Sequence, residues 1–337
     1  MSLEEKNMHR IRRISNILLP LLLGGLILYW MYRDFDFQSV KDVLLNEMNW
    51  WWMLASFPFC VIAQMFRGWR WKQTLEPLKE HARTAHCFYA VFVSYAASLV
   101  IPRIGEFTRC GILTRKDGVS FAKALGTVVT ERAVDTLVLL VIIMCIVLVH
   151  LPVVLSFFST TGTKLDAITE FFGQFSATGY IVTTICGIAL ITSLYLVLKR
   201  LEFYGRIKAT LKGLKDGVLS VKEVHNLPLY ITYSVGIWIA YFLHFYLTFF
   251  CFKETSELSL SCALVSFAVG CMAVLVPTPN GAGSWHFAVK TVLITYGVSA
   301  PAALFFVLIV HDIQTMMVIL LGIYGWMRLS TTNLQTK

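Results

Sequence analysis

Ionisable side chains stand within two otherwise apolar stretches of the sequence, residues 99–110 (LVIPRIGEFTRC) and 127–140 (TVVTERAVDTLVLL). An arginine side chain presents a fork of N–H donors that matches the oxygens of a phosphate group. A carboxylate can bind a cation or hold an arginine in place. The two stretches predict a polar site for a charged group, formed by Arg103, Gly105, Glu106, Arg109, Glu131, Arg132 and Asp135.

The spacing of these residues also allows a purely structural interpretation. On a helix, Glu131 and Asp135 share a face, and Arg132 reaches Asp135 three positions on. Pairs such as Arg109 with Glu131 could therefore simply hold helices together. A charged group inside a membrane costs roughly 2.5–3.5 kcal/mol on insertion scales, so such groups normally face the protein interior and either pair or line a pathway.

A second polar break interrupts the apolar sequence at residues 274–287 (VLVPTPNGAGSWHF). Prolines end helices, and glycine or asparagine permits tight turns. We expect a helix to end at Pro277 and Pro279 and a new one to begin near Ser284; in the first stretch, Pro102 ends a helix that starts near Phe88 and Gly105 permits the turn. Helix N-termini at such breaks favour an anionic headgroup. The residues added to the predicted site are Asn280, Gly281, Gly283, His286, His311 and Asp312.

The composition is that of an integral membrane protein. Of 337 residues, 57% are hydrophobic and 15% charged, and the mean hydropathy is +0.67, far from the usual soluble mixture. We predict an all-α chain forming one polytopic membrane domain over residues 1–337. Runs of the length that a bilayer requires number about six, at residues 14–32, 49–66, 124–150, 178–198, 228–252 and 301–327.

The distribution of charge sets the predicted topology. The net charge is +9, and Lys and Arg concentrate before residue 14 and within 67–123 and 199–227, which indicates that these segments are cytoplasmic rather than that the protein binds nucleic acid. The interrupted zones 88–114 and 262–296 then fit as re-entrant hairpins. We expect a multi-pass protein of the bacterial inner membrane with both termini in the cytoplasm.

The predicted elements repeat with opposite orientation. Residues 49–150 and 228–327 each give a span, a hairpin and a span, and the two hairpins enter from opposite faces of the membrane. Transporters use this inverted repeat, with the substrate near the midplane where the interrupted helices meet.

Two basic segments are predicted to lie at the cytoplasmic surface of the membrane. Residues 200–222 have the periodicity of a basic amphipathic helix. Residues 67–83 alternate aromatic and basic side chains in the manner of a headgroup boundary. Anchoring to anionic lipid is favoured over substrate capture for both segments. The interfacial residues of the second are Arg67, Trp69, Arg70 and Trp71.

No cofactor or metal is predicted. The 8 cysteines are scattered through apolar runs without C-x-x-C spacing, which favours small buried residues over ligands or disulfides.

The polar breaks resemble those of a known family, the flippase-like transmembrane region of bacterial lysylphosphatidylglycerol synthases and its stand-alone relatives, once labelled dolichol-phosphate-glucose synthetase-like. The similar pieces, in order, are RGWRW (67–71), IPRIGEFTR (101–109), GVSFAKALGTVVTERAVDTL (118–137) and VPTPNGAGSWHF (276–287). The resemblance implies two re-entrant hairpins, movement of an aminoacylated phospholipid between leaflets, and a polar cavity containing the charged residues of 103–135.

Two departures from that family change the expectation. The sequence contains no counterpart of the soluble aminoacyl-transferase domain, so we expect it not to make lysyl-lipid. The family commonly has a glutamate where this chain has His286, and often an arginine near His311. Loss of an acid from the second hairpin argues against a lysyl headgroup.

The leading functional prediction is a lipid transporter or flippase and not an enzyme. Its expected partners are membrane lipids, either anionic phospholipids or polyprenyl or aminoacyl phospholipids, together with a second copy of the chain or a separate lipid-modifying synthase. The alternatives are a membrane-embedded transferase acting on polyprenyl-phosphate sugars, and a non-transporting scaffold for a partner synthase.

Overall fold

The computed structural model describes residues 48–101, 103–149, 212–213, 215–217, 219–274 and 281–331. Within these ranges the chain is helical and contains no strand. The α-helices are α1 (Trp50–Leu75), α2 (Thr84–Val100), α3 (Ile104–Asp117), α4 (Phe121–Val149), α5 (Leu227–Tyr246), α6 (Lys253–Ser256), α7 (Leu260–Ala273), α8 (Ser284–Thr295) and α9 (Ala300–Thr331). Short 3-10 helices span Glu76–Leu78, Ser220–Glu223 and Leu247–Cys251.

Several predicted features lie outside the described residues. They are the spans at 14–32 and 178–198, the helix-breaking residues Pro102, Pro277 and Pro279, the turn residue Asn280, and most of the surface segment 200–222. The part of that segment that is described is helical before the 3-10 turn at Ser220–Glu223. Gly217 there is buried, and a Cβ at this position would meet the backbone of α4 at Lys123 and Gly126.

Helix α1 is longer than predicted. Asn49 caps its start by accepting a hydrogen bond from the Trp51 N–H at 3.1 Å. The helix continues past residue 66 to Leu75, through the segment predicted to lie at the membrane surface. The prediction was wrong for Arg67 and Arg70, because these two side chains find acidic partners within the protein and are buried.

The first polar break separates α2 from α3, which pack side by side. The left-handed residue of the turn is Arg103, with φ of 66°, and not Gly105 as expected. Gly105 lies in the first turn of α3, where its N–H donates to Ser98 Oγ at 3.2 Å. A Cβ at this position would collide with the Ser94 carbonyl oxygen. Glycine is therefore required for the close approach of the two helices, while a strained Arg103 makes the turn.

The far end of this helix pair is held by polar contacts. Asp117 at the end of α3 lies 2.7 Å from His86 Nδ1 and accepts the Arg83 N–H at 3.1 Å. Lys123 at the start of α4 donates to Glu80 Oε1 at 2.8 Å. These bonds join the loop after α1 to α3 and α4, and they hold the start of α2 next to the end of α3.

The second polar break separates α7 from α8, which also pack together. The predicted start near Ser284 is confirmed, since α8 begins at that residue. Gly281 and Gly283 have φ of 73° and 85°, a conformation that other residues rarely adopt. A Cβ on Gly281 would lie 3.0 Å from Val274 Cγ2, so the turn is also tightly packed.

The two halves of the sequence interlock. Helix α1 packs along α5, and α2 packs along α9, where Gly322 lies directly against Ala96. Helix α4 meets α7 through an apolar cluster that contains Ile146, Val265 and Ala268. The last helix of each half therefore contacts the first helix of the other half's broken pair.

The outer surface carries many exposed apolar side chains. On α4 and α9 alone these include Leu137, Leu140, Val141, Met144, Leu148, Met316, Ile319, Leu320, Ile323 and Met327. In the described part of the chain, two helical segments are long and apolar enough to cross a bilayer, Leu227–Cys251 and Ala300–Thr331. Such a surface is stable in lipid and would be unusual in water.

The packing of α2 on α3 gives a direct test of the fold. Gly105→Ala should destabilise the protein by about 1–3 kcal/mol, because the new methyl group forces the helices apart. Gly111→Ala is the matched control, since nothing lies within 4 Å of a Cβ there, and it should leave stability unchanged or raise it by up to about 1 kcal/mol. Thermal unfolding in detergent measures both; equal unfolding temperatures would contradict the packing described.

Candidate functional site

The site begins on one face of α1. Arg67, Arg70 and Trp71 are spaced by three and four residues, so they project from the same side of the helix. Arg67 is 2% exposed, Arg70 0% and Trp71 1%. The prediction that these three residues lie at a headgroup boundary was therefore wrong, and only Trp69 is partly exposed. A buried guanidinium requires an acidic partner.

Helix α4 supplies the acids. Arg67 Nη1 lies 2.7 Å from Glu131 Oε1 and 2.7 Å from Asp135 Oδ2, which it bridges. Arg70 Nη2 lies 2.6 Å from Asp135 Oδ1, and its other terminal nitrogen donates to Ser234 Oγ on α5 at 3.1 Å. The predicted shared face of Glu131 and Asp135 thus exists, and it is turned toward α1.

Helix α3 adds a third buried arginine. Arg109, 2% exposed, donates from Nη1 to Glu131 Oε2 at 3.0 Å. Its guanidinium carbon lies 4.7 Å from the centre of the Trp71 ring, a favourable cation–π distance. The indole N–H of Trp71 donates to Thr127 Oγ1 on α4 at 2.9 Å. Arg109 and Trp71 therefore position each other between three helices.

The outer edge of the cluster is formed by Arg132 and Glu106. Arg132 Nη2 donates to Glu131 Oε1 at 2.9 Å and lies 3.6 Å from Asp135 Oδ2. Arg132 Nε lies 3.5 Å from Glu106 Oε1, and the two side chains are 40% and 31% exposed. A pair so long and so exposed contributes little stability. We call the whole set the arginine cluster: Arg67, Arg70, Arg109, Arg132, Glu106, Glu131 and Asp135.

The arginine cluster carries more positive than negative charge. Its four guanidinium groups meet three carboxylates, which leaves a formal charge of +1, or +2 when Glu106 is set aside. Three donors are also unused: Arg67 Nε, Arg70 Nε and Arg109 Nη2 are buried without a hydrogen-bond partner among the described residues. Unused donors and excess positive charge together are suited to an additional anion.

The remaining predicted site residues fall elsewhere. Arg103 is exposed in the turn before α3. Asp312 on α9 is also exposed and lies 3.8 Å from His311 Nδ1. Neither side chain is among the described ion pairs of the arginine cluster. Gly281 and Gly283 form the α7–α8 turn. His286 is buried, its Nδ1 accepts the Gly283 N–H at 3.1 Å, and its ring centre lies 4.5 Å from that of His311.

A cavity of about 250 Å³ lies beside the arginine cluster. Of the predicted site residues within the described ranges, His311 alone lines it. Its wall combines aromatic rings with amide, imidazole and hydroxyl groups from α1, α2, α5, α7, α8 and α9. The residues are Cys60, Gln64, Tyr95, Tyr241, His244, Phe245, Phe267, Gly270, Cys271, Val274, Trp285, His311, Gln314, Thr315 and Val318.

Two tyrosines connect the cavity to the arginine cluster. The hydroxyl groups of Tyr95 and Tyr241 are 3.0 Å apart and share a hydrogen bond. The Arg67 guanidinium carbon lies 5.7 Å and 6.0 Å from their ring centres. Gln64 on the cavity wall precedes Arg67 by three residues on α1. The cavity and the charged cluster are therefore adjacent parts of one site.

A family model described as "Lysylphosphatidylglycerol synthase TM region" matches residues 17–322. No curated protein and no solved structure matches the chain.

The arginine cluster predicts a marked difference between two chemically identical substitutions. Glu131→Gln should lower the free energy of unfolding by about 3–5 kcal/mol, since it leaves three arginines with one fewer buried acid. Glu106→Gln removes a long, exposed pair and should change it by less than about 1 kcal/mol. Denaturant unfolding in micelles compares the two; a Glu131→Gln protein as stable as the wild type would mean that the buried pairs are absent.

Proposed function

Because the chain belongs to the lysylphosphatidylglycerol synthase TM region family, we propose that it transports an anionic lipid between the leaflets of the membrane. The headgroup passes through the site formed by the arginine cluster and its adjoining cavity, while the acyl chains stay in the surrounding lipid. The family membership supports a membrane lipid as the substrate class. The excess positive charge of the arginine cluster supports a negatively charged headgroup.

The observation that carries this proposal is the excess of buried arginine. Arg67, Arg70 and Arg109 are at most 2% exposed, yet among the described residues the cluster has one carboxylate fewer than it has arginines. A buried charge without a counterion costs several kcal/mol. A lipid phosphate supplies a further negative charge and acceptor oxygens for the unused N–H groups, so its binding to the cluster is favourable.

The exposed edge is the proposed point of arrival for the phosphate. Glu106 forms the most exposed pair of the cluster, 3.5 Å from Arg132, and both side chains reach solvent or headgroups. A phosphate can replace this carboxylate on Arg132 and gain bidentate hydrogen bonds. In this proposal Glu106 pairs with Arg132 and keeps the arginines oriented between transport cycles. The phosphate of the substrate displaces it when the substrate binds.

The proposed topology has about six spans and two re-entrant hairpins, α2–α3 and α7–α8, in an inner membrane with both termini in the cytoplasm. Its support is the pair of polar breaks, one in each half, and the gathering of the α2 start and α3 end by Asp117, His86 and Arg83. Backbone freed from a helix at membrane depth is tolerated only inside protein or beside a wet cavity, and Val274 and Trp285 near the second break line the cavity.

Direction follows from differences in affinity between inward-open and outward-open states. The mobile contacts in this proposal are those between the two halves, such as Gly322 against Ala96, where small residues let helices slide with little side-chain rearrangement. The proposal includes no chemical step on the lipid. A separate synthase would supply any modified substrate.

The test is leaflet exchange by the purified protein reconstituted in vesicles that contain fluorescent phosphatidylglycerol. Arg132→Gln should slow exchange about tenfold or more, since it removes charge-assisted hydrogen bonds each worth roughly 1.5–3 kcal/mol. The rim position of Arg132 keeps the effect on folding small. Arg115→Gln is the matched control, because Arg115 is exposed on α3 outside the cluster, and it should exchange lipid at the wild-type rate.

Two results would contradict the proposal. Equal exchange by wild type and Arg132→Gln would show that the cluster is not on the pathway. The second result is a wild-type protein that unfolds cooperatively, and is therefore folded, but exchanges lipid no faster than protein-free vesicles. This result would contradict the transport function itself.

A further inference from the structure

The cavity beside the arginine cluster differs from it in chemistry. No aspartate, glutamate, lysine or arginine is among the described residues that line the cavity. Its polar groups are neutral amides, hydroxyls and imidazoles, and aromatic rings from Tyr95, Tyr241 and Trp285 form much of the remaining wall. Such a surface, largely apolar with a few placed polar groups, is typical of a site for a small uncharged ligand.

Three polar atoms of the wall are buried without a hydrogen-bond partner among the described residues: Gln64 Oε1, His244 Nε2 and Gln314 Nε2. Gln64 and His244 are 3% and 7% exposed. An unpaired buried polar atom costs about 1–3 kcal/mol, so these atoms are expected to bind a ligand or water. They mark the cavity as a built polar site and not a packing defect.

The imidazole of His244 has a defined hydrogen-bonding role. Its Nδ1 lies 2.9 Å from the Ser56 carbonyl oxygen, which can only accept. Nδ1 therefore carries the proton of the neutral ring, and Nε2 is left as an acceptor. The wall then offers acceptors at His244 Nε2 and Gln64 Oε1 and a donor at Gln314 Nε2. A hydroxyl group both donates and accepts, so neighbouring hydroxyls can satisfy all three atoms.

A cationic ligand fits this wall less well. An ammonium group has donors only and would leave the Gln314 N–H without a partner. No carboxylate among the described lining residues would compensate its charge, and Arg67 lies behind the tyrosines within 6.0 Å of their ring centres. An uncompensated charge in such surroundings is strongly unfavourable. An uncharged polyol does not incur this cost, because it carries no charge.

The volume of the cavity limits the size of the group that can bind in it. About 250 Å³ lies below the roughly 300–1,000 Å³ of sites that enclose whole drug-sized molecules, so the cavity holds a headgroup fragment and not a complete lipid. Gln64 and Arg67 are three residues apart on α1, which places their Cβ atoms roughly 5–6 Å from each other. A lipid whose phosphodiester binds at the arginine cluster can therefore place the group esterified to that phosphate at Gln64.

We propose that the cavity binds the uncharged, hydroxyl-rich end of the transported headgroup, a glycerol or sugar group, and thereby selects against aminoacylated lipids. This inference rests on the proposed transport of an anionic lipid and specifies the chemical class of the headgroup. The phosphate lies at the arginine cluster, and Gln64, His244 and Gln314 bind the hydroxyls.

The experiment is native mass spectrometry of the full-length protein titrated with three lipids that have identical acyl chains: phosphatidylglycerol, lysylphosphatidylglycerol and phosphatidic acid. Wild-type protein should bind phosphatidylglycerol more tightly than either of the others. Gln64→Met keeps the side-chain length and should reduce the preference for phosphatidylglycerol over phosphatidic acid about five- to tenfold, the equivalent of one buried hydrogen bond.

Controls separate binding from folding. Gln73→Met makes the same change on α1 outside the cavity and should keep the wild-type preference. Gln314→Met tests a second wall position on another helix, so the inference stays testable if one variant folds poorly, which thermal unfolding reports.

The outcomes distinguish this inference from the transport proposal. Tightest binding of lysylphosphatidylglycerol overturns the inference and leaves intact only the binding of a lipid phosphodiester at the arginine cluster. Equal binding of phosphatidylglycerol and phosphatidic acid, unchanged in both wall variants, also overturns it, because the cavity then holds only water. Failure of all three lipids to bind above a neutral phosphatidylcholine control, with no effect of Arg132→Gln, overturns both proposals.

Discussion

Buried guanidinium groups need carboxylates, and this requirement determines how the described helices are arranged. Arg67 and Arg70 on α1 can be buried only where Glu131 and Asp135 on α4 meet them at 2.6–2.7 Å. Breaking one such buried pair costs about 3–5 kcal/mol, so α1 and α4 are fixed in rotation as well as position. Arg109 and Trp71 then fit into the space that remains between them.

Helix α1 is the common support of both parts of the site. The face that carries Arg67 and Trp71 carries Cys60 and Gln64 two turns earlier, so one helix lines the cavity and holds the charged cluster. Packing of α1 on α5 brings Tyr241 and His244 to the same cavity. A single helix orientation, set by ion pairs, therefore positions the phosphate and hydroxyl subsites that we propose.

Sequence reasoning succeeded where structure is locally determined. Proline and glycine chemistry indicated both broken helix pairs and the start of α8 at Ser284, and helical spacing indicated that Glu131 and Asp135 share a face. It failed for Arg67 and Arg70, whose tryptophan neighbours resemble those of a headgroup boundary. Their acidic partners are distant in sequence: Glu131 and Asp135 lie 64 and 68 residues from Arg67. Gly105 was misjudged for a related reason: only tertiary packing on Ser94 reveals a close contact instead of a turn. An arginine pair spaced by three residues was the one local signal of a shared buried face.

The central claim, that a lipid phosphate binds within the buried arginine cluster, is tested most directly by solid-state NMR in a bilayer. Samples with carbon-13 in the arginine guanidinium carbons allow dipolar dephasing by the phosphorus of bound lipid, and an Arg109→Lys sample assigns the Arg109 signal by its loss. Arg109 is 2% exposed, so ordinary surface headgroups cannot reach it. The account predicts that phosphorus dephases the Arg109 signal. Dephasing confined to exposed arginines such as Arg83 and Arg115, with the Arg109 signal unaffected, would contradict it.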